Sequence, residues 1–332
     1  MENLIVSVNC VIPMFLTLCT GLLIRLSKVV PEGMFDQLSS LSFHALLPCL
    51  LFSNIYSTDL STAIQPDLLL YLALWLLGWF LLCYLIYTKA EPDHRRRGAY
   101  IQNSFRTNIA VVGVSLAQQM MDGNGVALLS MAIAIMVPMY NVMAVITLET
   151  CRGERADLKK TLTSILRNPL ILACLMGLIC LFLEVRLPSC VETTVASLGN
   201  AGSVTTLIAL GASFRLGGLR TNWKPVLFGA LVRLVIAPAC AVIPAILMGF
   251  RGGALGTVLV CIASPTASTS YPMALACDSD HQLTAQLIVT TEFYVLVDNE
   301  IHQENSVYGF YFKLPFIAYP SLHIRKSCRW DG

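Results

Sequence analysis

Residues 103–113 read Asn103-Ser104-Phe105-Arg106-Thr107-Asn108-Ile109-Ala110-Val111-Val112-Gly113, and they lie inside an otherwise apolar run from 100 to 121. A second run, 252–277, contains Ala263-Ser264-Pro265-Thr266-Ala267-Ser268-Thr269-Ser270-Tyr271-Pro272, two prolines with hydroxyl residues between them. Both runs are long enough to cross a bilayer, since about 20 residues at about 1.5 Å rise span a hydrocarbon layer roughly 30 Å thick. Lipid offers no hydrogen-bond partner. The polar side chains, and the backbone freed at helix-breaking Gly113, Pro265 and Pro272, must therefore face protein or water.

Working outward, further apolar runs occupy 4–24, 38–56, 68–88, 126–148, 169–183, 193–214 and 226–250. A weaker one, 281–297, carries Glu292 and meets Asp298 and Glu300 at once. The pattern reads as an all-α polytopic membrane protein of ten spans, with the tenth atypical. Composition agrees: 56% of residues are hydrophobic and only 13% charged, too few charges to clothe a soluble surface, where about 25% is usual.

Lysine and arginine sort by gap. After spans 1, 3, 5 and 7 stand fourteen, including Arg25, Arg95, Arg96, Arg97, Arg152, Arg155, Lys159, Lys160 and Arg220; after spans 2, 4, 6 and 8 stand two, Arg186 and Arg251. The positive-inside rule then puts the N-terminus outside and the basic gaps in the cytoplasm. The run His94–Arg97 reads as a solvated loop at the lipid headgroups, not as a nucleic-acid site. Glu2 ahead of a long first run, with no basic leader, does not read as a removable signal peptide. Twelve scattered cysteines form no CxxC or metal-ligand cluster, so neither a metal nor a cofactor is expected.

Spans 4 and 9 are each the fourth element of a five-helix half. Five is odd, so the second half enters the membrane from the opposite side, and inverted repeats are expected: 1–148, a cytoplasmic connector 149–168, 169–300 with its doubtful last helix, and a divergent tail 301–332. Broken helices at matching positions suit a secondary transporter, where freed backbone and polar side chains form the solute site near midplane.

Arg106 has the greatest weight among single residues. A guanidinium at membrane depth costs about 2.5–3.5 kcal/mol on insertion scales, and its planar fork suits a carboxylate. It also lies only about 9 Å of helical rise from Tyr100, so snorkelling is open to it. Asn103, Asn108, Asn200, Thr266, Ser268 and Thr269 complete the candidate solute-binding set, each alternatively a helix-to-helix hydrogen bond or a local cap. Arg233 in span 8 suits snorkelling or pairing between helices, and Gly199, Gly202 and Gly211 give span 7 small faces for close packing. No span before the tenth holds a central Asp or Glu, which weighs against a carboxylate proton relay. Sodium held by backbone carbonyls stays open.

The chain resembles the auxin efflux carrier family, and particularly its bacterial malate or malonate permease-like members. The landmarks are Leu47-Pro-Cys-Leu-Leu-Phe-Ser53, Ser104-Phe-Arg-Thr-Asn108 leading to Gly113, Asn168-Pro-Leu170, Leu207-Ile-Ala-Leu-Gly-Ala-Ser213, Arg233-Leu-Val-Ile-Ala-Pro238 and Ser264-Pro-Thr-Ala-Ser268. The resemblance covers about residues 1–290 and implies two inverted five-helix halves, with helices 4 and 9 broken and crossing beside the solute. It departs at Gly113-Val-Ser115, where the family commonly has Gly-Leu-Pro, and after Thr291, where charge replaces small apolar residues. The implied function is alternating-access transport of a small organic carboxylate across a bacterial inner membrane. Its partners are the lipid bilayer, sodium or protons as coupling ion, and a second copy of the chain as a homodimer. The rival readings are a channel and a solute-binding sensor without active transport. An enzyme is not expected, because no nucleophile–base set or nucleotide loop is present.

Overall fold

The computed structural model describes residues 2–31, 33–58, 65–121, 123–152, 158–215 and 222–301. Arg155 and Arg220 of the basic gaps, and the tail beyond Ile301, lie outside them. Among the described residues the chain is an all-α polytopic membrane protein. Its helices are α1 (Glu2–Ser27), α2 (Gly33–Tyr56), α3 (Pro66–Ala90), α4 (His94–Phe105), α5 (Val114–Met120), α6 (Gly123–Thr150), α7 (Leu158–Arg167), α8 (Pro169–Phe182), α9 (Ser189–Ser213), α10 (Trp223–Leu247), α11 (Gly252–Ala263), α12 (Ser270–Ala276) and α13 (His281–Ile301). Helices α2, α3, α6, α9 and α10 are each long and apolar enough to cross a membrane alone.

Local chemistry sets the boundaries. Asp93 caps α4 by accepting the Arg95 N–H at 2.9 Å, and Asn168 caps α8 by accepting the Leu170 N–H at 2.9 Å with Pro169 in the first helical turn. Within α2 and α10, π-helical turns at Ser42–Leu46 and Val232–Ile236 stand just ahead of Pro48 and Pro238. Each proline lacks an N–H and crowds the carbonyl four residues back, which the wider turn accommodates.

Two packing groups emerge. Helix α9 lies against α1 and α2, and α2 against α8, forming a four-helix panel. The spans α3, α4–α5, α6, α10, α11–α12 and α13 pack on one another as a bundle, with α13 also touching α1. Outward faces are apolar: Leu70, Leu74, Leu77, Leu81 and Leu85 form an exposed stripe on α3, which the hydrocarbon layer covers.

The panel is held by backbone-to-backbone approach. A Cβ on Gly211 would stand 2.0 Å from the Leu18 carbonyl oxygen, and one on Gly21 would stand 2.0 Å from that of Ile208. Gly199 and Gly202 meet Leu50 and Leu46 of α2 in the same way, which is the small-residue packing expected of span 7. At the far end Arg25 donates to the carbonyls of Ala212 at 2.6 Å and Phe214 at 3.1 Å, tying α1 to α9.

Gly211→Leu forces main chains apart, an overpacking cost of about 1–3 kcal/mol or more. It should cut the yield of monodisperse detergent-solubilised protein several-fold. Gly78→Leu, whose new side chain enters open space on α3, should leave the yield unchanged; equal losses in a size-exclusion profile would contradict this packing.

Candidate functional site

Both polar stretches interrupt their helices. α4 ends at Phe105; Arg106, Thr107 and Asn108 follow in non-helical conformation, and a π-helical turn, Ile109–Gly113, restarts the helix into α5. α11 ends at Ala263 and α12 begins at Ser270. The interruptions meet: Thr107 and Thr266 pair as an isolated antiparallel bridge, and the Asn108 N–H donates to the Pro265 carbonyl at 2.8 Å. Backbone groups released by one break thus find partners in the other, as burial requires.

Pro265 lies in the second break, whereas Pro272 sits in the first turn of α12, where the N–H it lacks would have no helical partner. Gly113 closes the π-helical turn and lets α5 approach α11, since its Cβ would stand 3.3 Å from Val260 Cγ1 and Ser264 Oγ.

Two arginines enter this region and do different things. Arg233, fully buried on α10, does not snorkel. Its guanidinium donates to the Ile262 carbonyl at 2.6 Å, to the Ser264 carbonyl at 2.8 and 3.2 Å, and to the Ser104 carbonyl at 3.4 Å. Those carbonyls terminate α11 and α4, so one cation closes the C-terminal ends of both half-helices. Trp79 Nε1 adds a second donor to Ser104 at 2.9 Å.

Arg106 is 3% exposed and also turns inward. Its guanidinium donates to Asn141 Oδ1 at 2.9 Å, to Thr269 Oγ1 at 2.8 Å, and to Met273 Sδ. These partners are all neutral. Among the described residues the ion pairs are Arg95–Asp278 and Arg152–Glu149, so no carboxylate neutralises Arg106. A cavity of about 50 Å³ lies beside it, lined in part by Asn54, Asn108, Asn141, Ser203 and Ser268. Asn54 and Ser203 belong to the panel and the others to the bundle. Asn54 and Ala110 also line an adjoining pocket of about 300 Å³ with Ser57, Thr58 and Ser130.

Of the solute-binding candidates, Arg106, Asn108, Ser268 and Thr269 share the small cavity. Asn103 and Thr266 are buried beside it but bonded to each other, Thr266 Oγ1 donating to Asn103 Oδ1 at 2.7 Å, while Asn103 Nδ2 donates to the Gly229 carbonyl at 3.1 Å. Asn200 is exposed on α9 and does not line the cavity. Among the lining residues that escaped the sequence reading are the polar Asn54, Asn141 and Ser203. Asn141 was findable by the rule applied to Asn103 and Asn108, a lone amide in an apolar span. Glu292, assigned by sequence to a doubtful segment, is buried on a packed α13, and its Oε1 accepts from Asn108 Nδ2 at 3.1 Å.

The membrane transport protein family matches residues 6–298, which include every residue of this site. The chain belongs to that family of membrane transport proteins. No curated protein matches it.

The two arginines should separate in stability measurements. Arg233→Met strands carbonyls at two helix ends and should cost on the order of 3 kcal/mol. Arg106→Met removes a cation without an anionic partner, so it should cost far less or even stabilise. Thermal unfolding in detergent ranks them; Arg106→Met as the more damaging change would reverse these roles.

Proposed function

We propose that this family member is a secondary carrier of a small organic carboxylate, working by alternating access. The observation that carries this reading is Arg106: a buried guanidinium with neutral partners, facing a cavity at the panel–bundle boundary. A dehydrated cation without a counter-ion is expensive, and an arriving anion repays that cost through charge-assisted hydrogen bonds. Asn141, Thr269 and Ser268 hold or flank the guanidinium and offer neutral hydrogen-bond partners to the remaining solute oxygens. The small cavity has room for a carboxylate head at the scale of about one or two waters, with the rest of the solute in the pocket that shares Asn54.

The chain's resemblance to malate and malonate permease-like carriers supports the same substrate class. In this reading 1–148 and 169–300 are inverted five-helix repeats joined by 149–168, and the N-terminus lies outside a bacterial inner membrane. The pocket at Asn54, Ser57 and Thr58 then opens outward. On the cytoplasmic side Arg95 closes the path by pairing with Asp278 at 2.7 Å while its carbonyl accepts from Ser279 Oγ at 2.8 Å and the Asp280 N–H at 3.1 Å. Transport requires the bundle to shift against the panel, parting Ser268 and Thr269 from Asn54 and Ser203 on one side and releasing Arg95 on the other.

Reconstituted in proteoliposomes, the protein should show saturable carboxylate uptake and counterflow. Arg106→Ala should lower uptake about ten- to a hundredfold, the worth of a lost charge-assisted bond, at unchanged membrane assembly. Undiminished uptake at matched protein levels excludes the ligand role of Arg106. Flux that never saturates points to a channel, and binding without flux to a sensor.

A further inference from the structure

We propose that Glu292 is the coupling site of this carrier and that the coupled ion is a proton, taken up at Oε2 as the solute anion enters. This rests on the carboxylate reading of the Arg106 cavity and extends it.

Glu292 stands on α13 at the level of the crossing breaks, where its neighbour Thr291 Oγ1 accepts the Thr266 N–H at 3.2 Å. It is 1% exposed, and while Oε1 accepts from Asn108 Nδ2, Oε2 is buried with no hydrogen-bond partner among the described residues. The charged and titratable groups on the elements packed against α13 are turned to other tasks. Arg25 of α1 holds the Ala212 and Phe214 carbonyls, Arg106 after α4 holds Asn141 and Thr269, and Arg233 of α10 holds Ile262 and Ser264. Tyr271 of α12 meets Ser213, and Glu192 of α9 takes the Tyr56 hydroxyl. His94, Arg95, Arg96, Arg97 and Tyr100 lie in the first two turns of α4, with Lys224 and His281 in the first turns of α10 and α13. Among the described residues none makes an ion pair or hydrogen bond with Glu292.

A lone carboxylate in such a place suits a proton better than a metal cation. Among the described residues its one hydrogen-bond partner, Asn108, presents an N–H, the wrong polarity for a cation's ligand shell, which is built of oxygens. Protonation removes the buried charge without requiring any further ligand.

Asn108 supplies the coupling. It lines the solute cavity with Arg106 and is also the hydrogen-bond donor to Glu292. A solute carboxylate beside Arg106 draws on the same amide and places a second negative charge in a low-dielectric site. Both effects drive a proton from the outer water onto Oε2. For a monoanion, solute and proton then cross as a neutral pair. When the cavity opens inward and the solute departs, the Asn108 bond to Oε1 re-forms and the proton leaves to the cytoplasm.

The test uses the full chain in proteoliposomes with radiolabelled malonate. At zero membrane potential an outside-acid gradient of about one pH unit should raise accumulation by up to about tenfold, the limit for one proton carried with each solute ion. Glu292→Gln, which keeps volume and a carbonyl for Asn108, should accumulate no more with the gradient than without it. Gradient-driven accumulation in Glu292→Gln equal to that of the parent overturns the proposal. Infrared spectra without solute, titrated from about pH 5 to about pH 9, give an independent readout: a buried carboxylic-acid band in the parent that the substitution removes. No titrating band, or one that survives the substitution, also overturns it. Malonate exchange by the parent at equal pH tests the carboxylate reading separately; a titrating, Glu292-dependent band without malonate binding sinks that reading and leaves the proton site standing.

Discussion

The structure depends on two interrupted helices repairing each other. Each break frees backbone groups at a depth where solvent cannot satisfy them, and an unpaired buried amide or carbonyl costs about 1–3 kcal/mol. The Asn108 N–H on the Pro265 carbonyl, the Thr107–Thr266 bridge, and Arg233 across the ends of α4 and α11 remove most of that penalty together. The breaks share their hydrogen-bond partners, so the polar centre in the membrane draws on both stretches. That mutual dependence explains why the polar residues concentrate in two stretches far apart in sequence.

The same constraint divides the molecule. The breaks and their supporting cations belong to the bundle, which packs through side chains around α6 and α11. The panel is joined by glycine-mediated main-chain contacts, Gly21 and Gly211 between α1 and α9, Gly199 and Gly202 between α9 and α2. Close backbone packing permits little internal adjustment, because an atom added at any of these glycines meets the facing helix at 2.0–2.8 Å. Between these two groups lie the cavity and a few small polar side chains, such as Ser203 and Asn54. The alternating access proposed above would run along that boundary.

Much of this was legible in the sequence, for reasons that particular residues show. Apolar runs are long because the bilayer is thick, and Asn103–Gly113 and Ala263–Pro272 stood out because hydrocarbon does not tolerate such residues. Which polar residue does which task was not legible. Arg106 and Arg233 read alike as single arginines in apolar runs, and only their three-dimensional partners, side chains for one and helix-end carbonyls for the other, separate them. Asn200 read as a lining residue because a helical stretch does not reveal which face it presents; it lies on the exposed face of α9. Glu292 read as a sign of a failing last helix, since a carboxylate looks equally foreign whether a helix leaves the membrane or turns that side chain inward. The family match through residue 298 and the packed α13 favour the second.

The charges at the centre explain why the site remains available. Arg233 is matched with several carbonyls and has little left to offer a ligand, so it is structural. Arg106 and Glu292 are groups of opposite charge type beside the same pair of breaks, and a direct ion pair between them would satisfy both. They do not form one: Arg106 turns to Asn141 and Thr269, while Glu292 turns to Asn108. Had they paired, an incoming anion would have to break a desolvated ion pair before gaining any contact of its own, and breaking such pairs costs about 3–5 kcal/mol. In the carrier reading proposed above, holding them apart by neutral amides and hydroxyls would let the cation receive an anion and the carboxylate a proton. On that reading, separation of the pair costs stability and gives the site its use, in keeping with the general rule that intramembrane ionisable groups mark function.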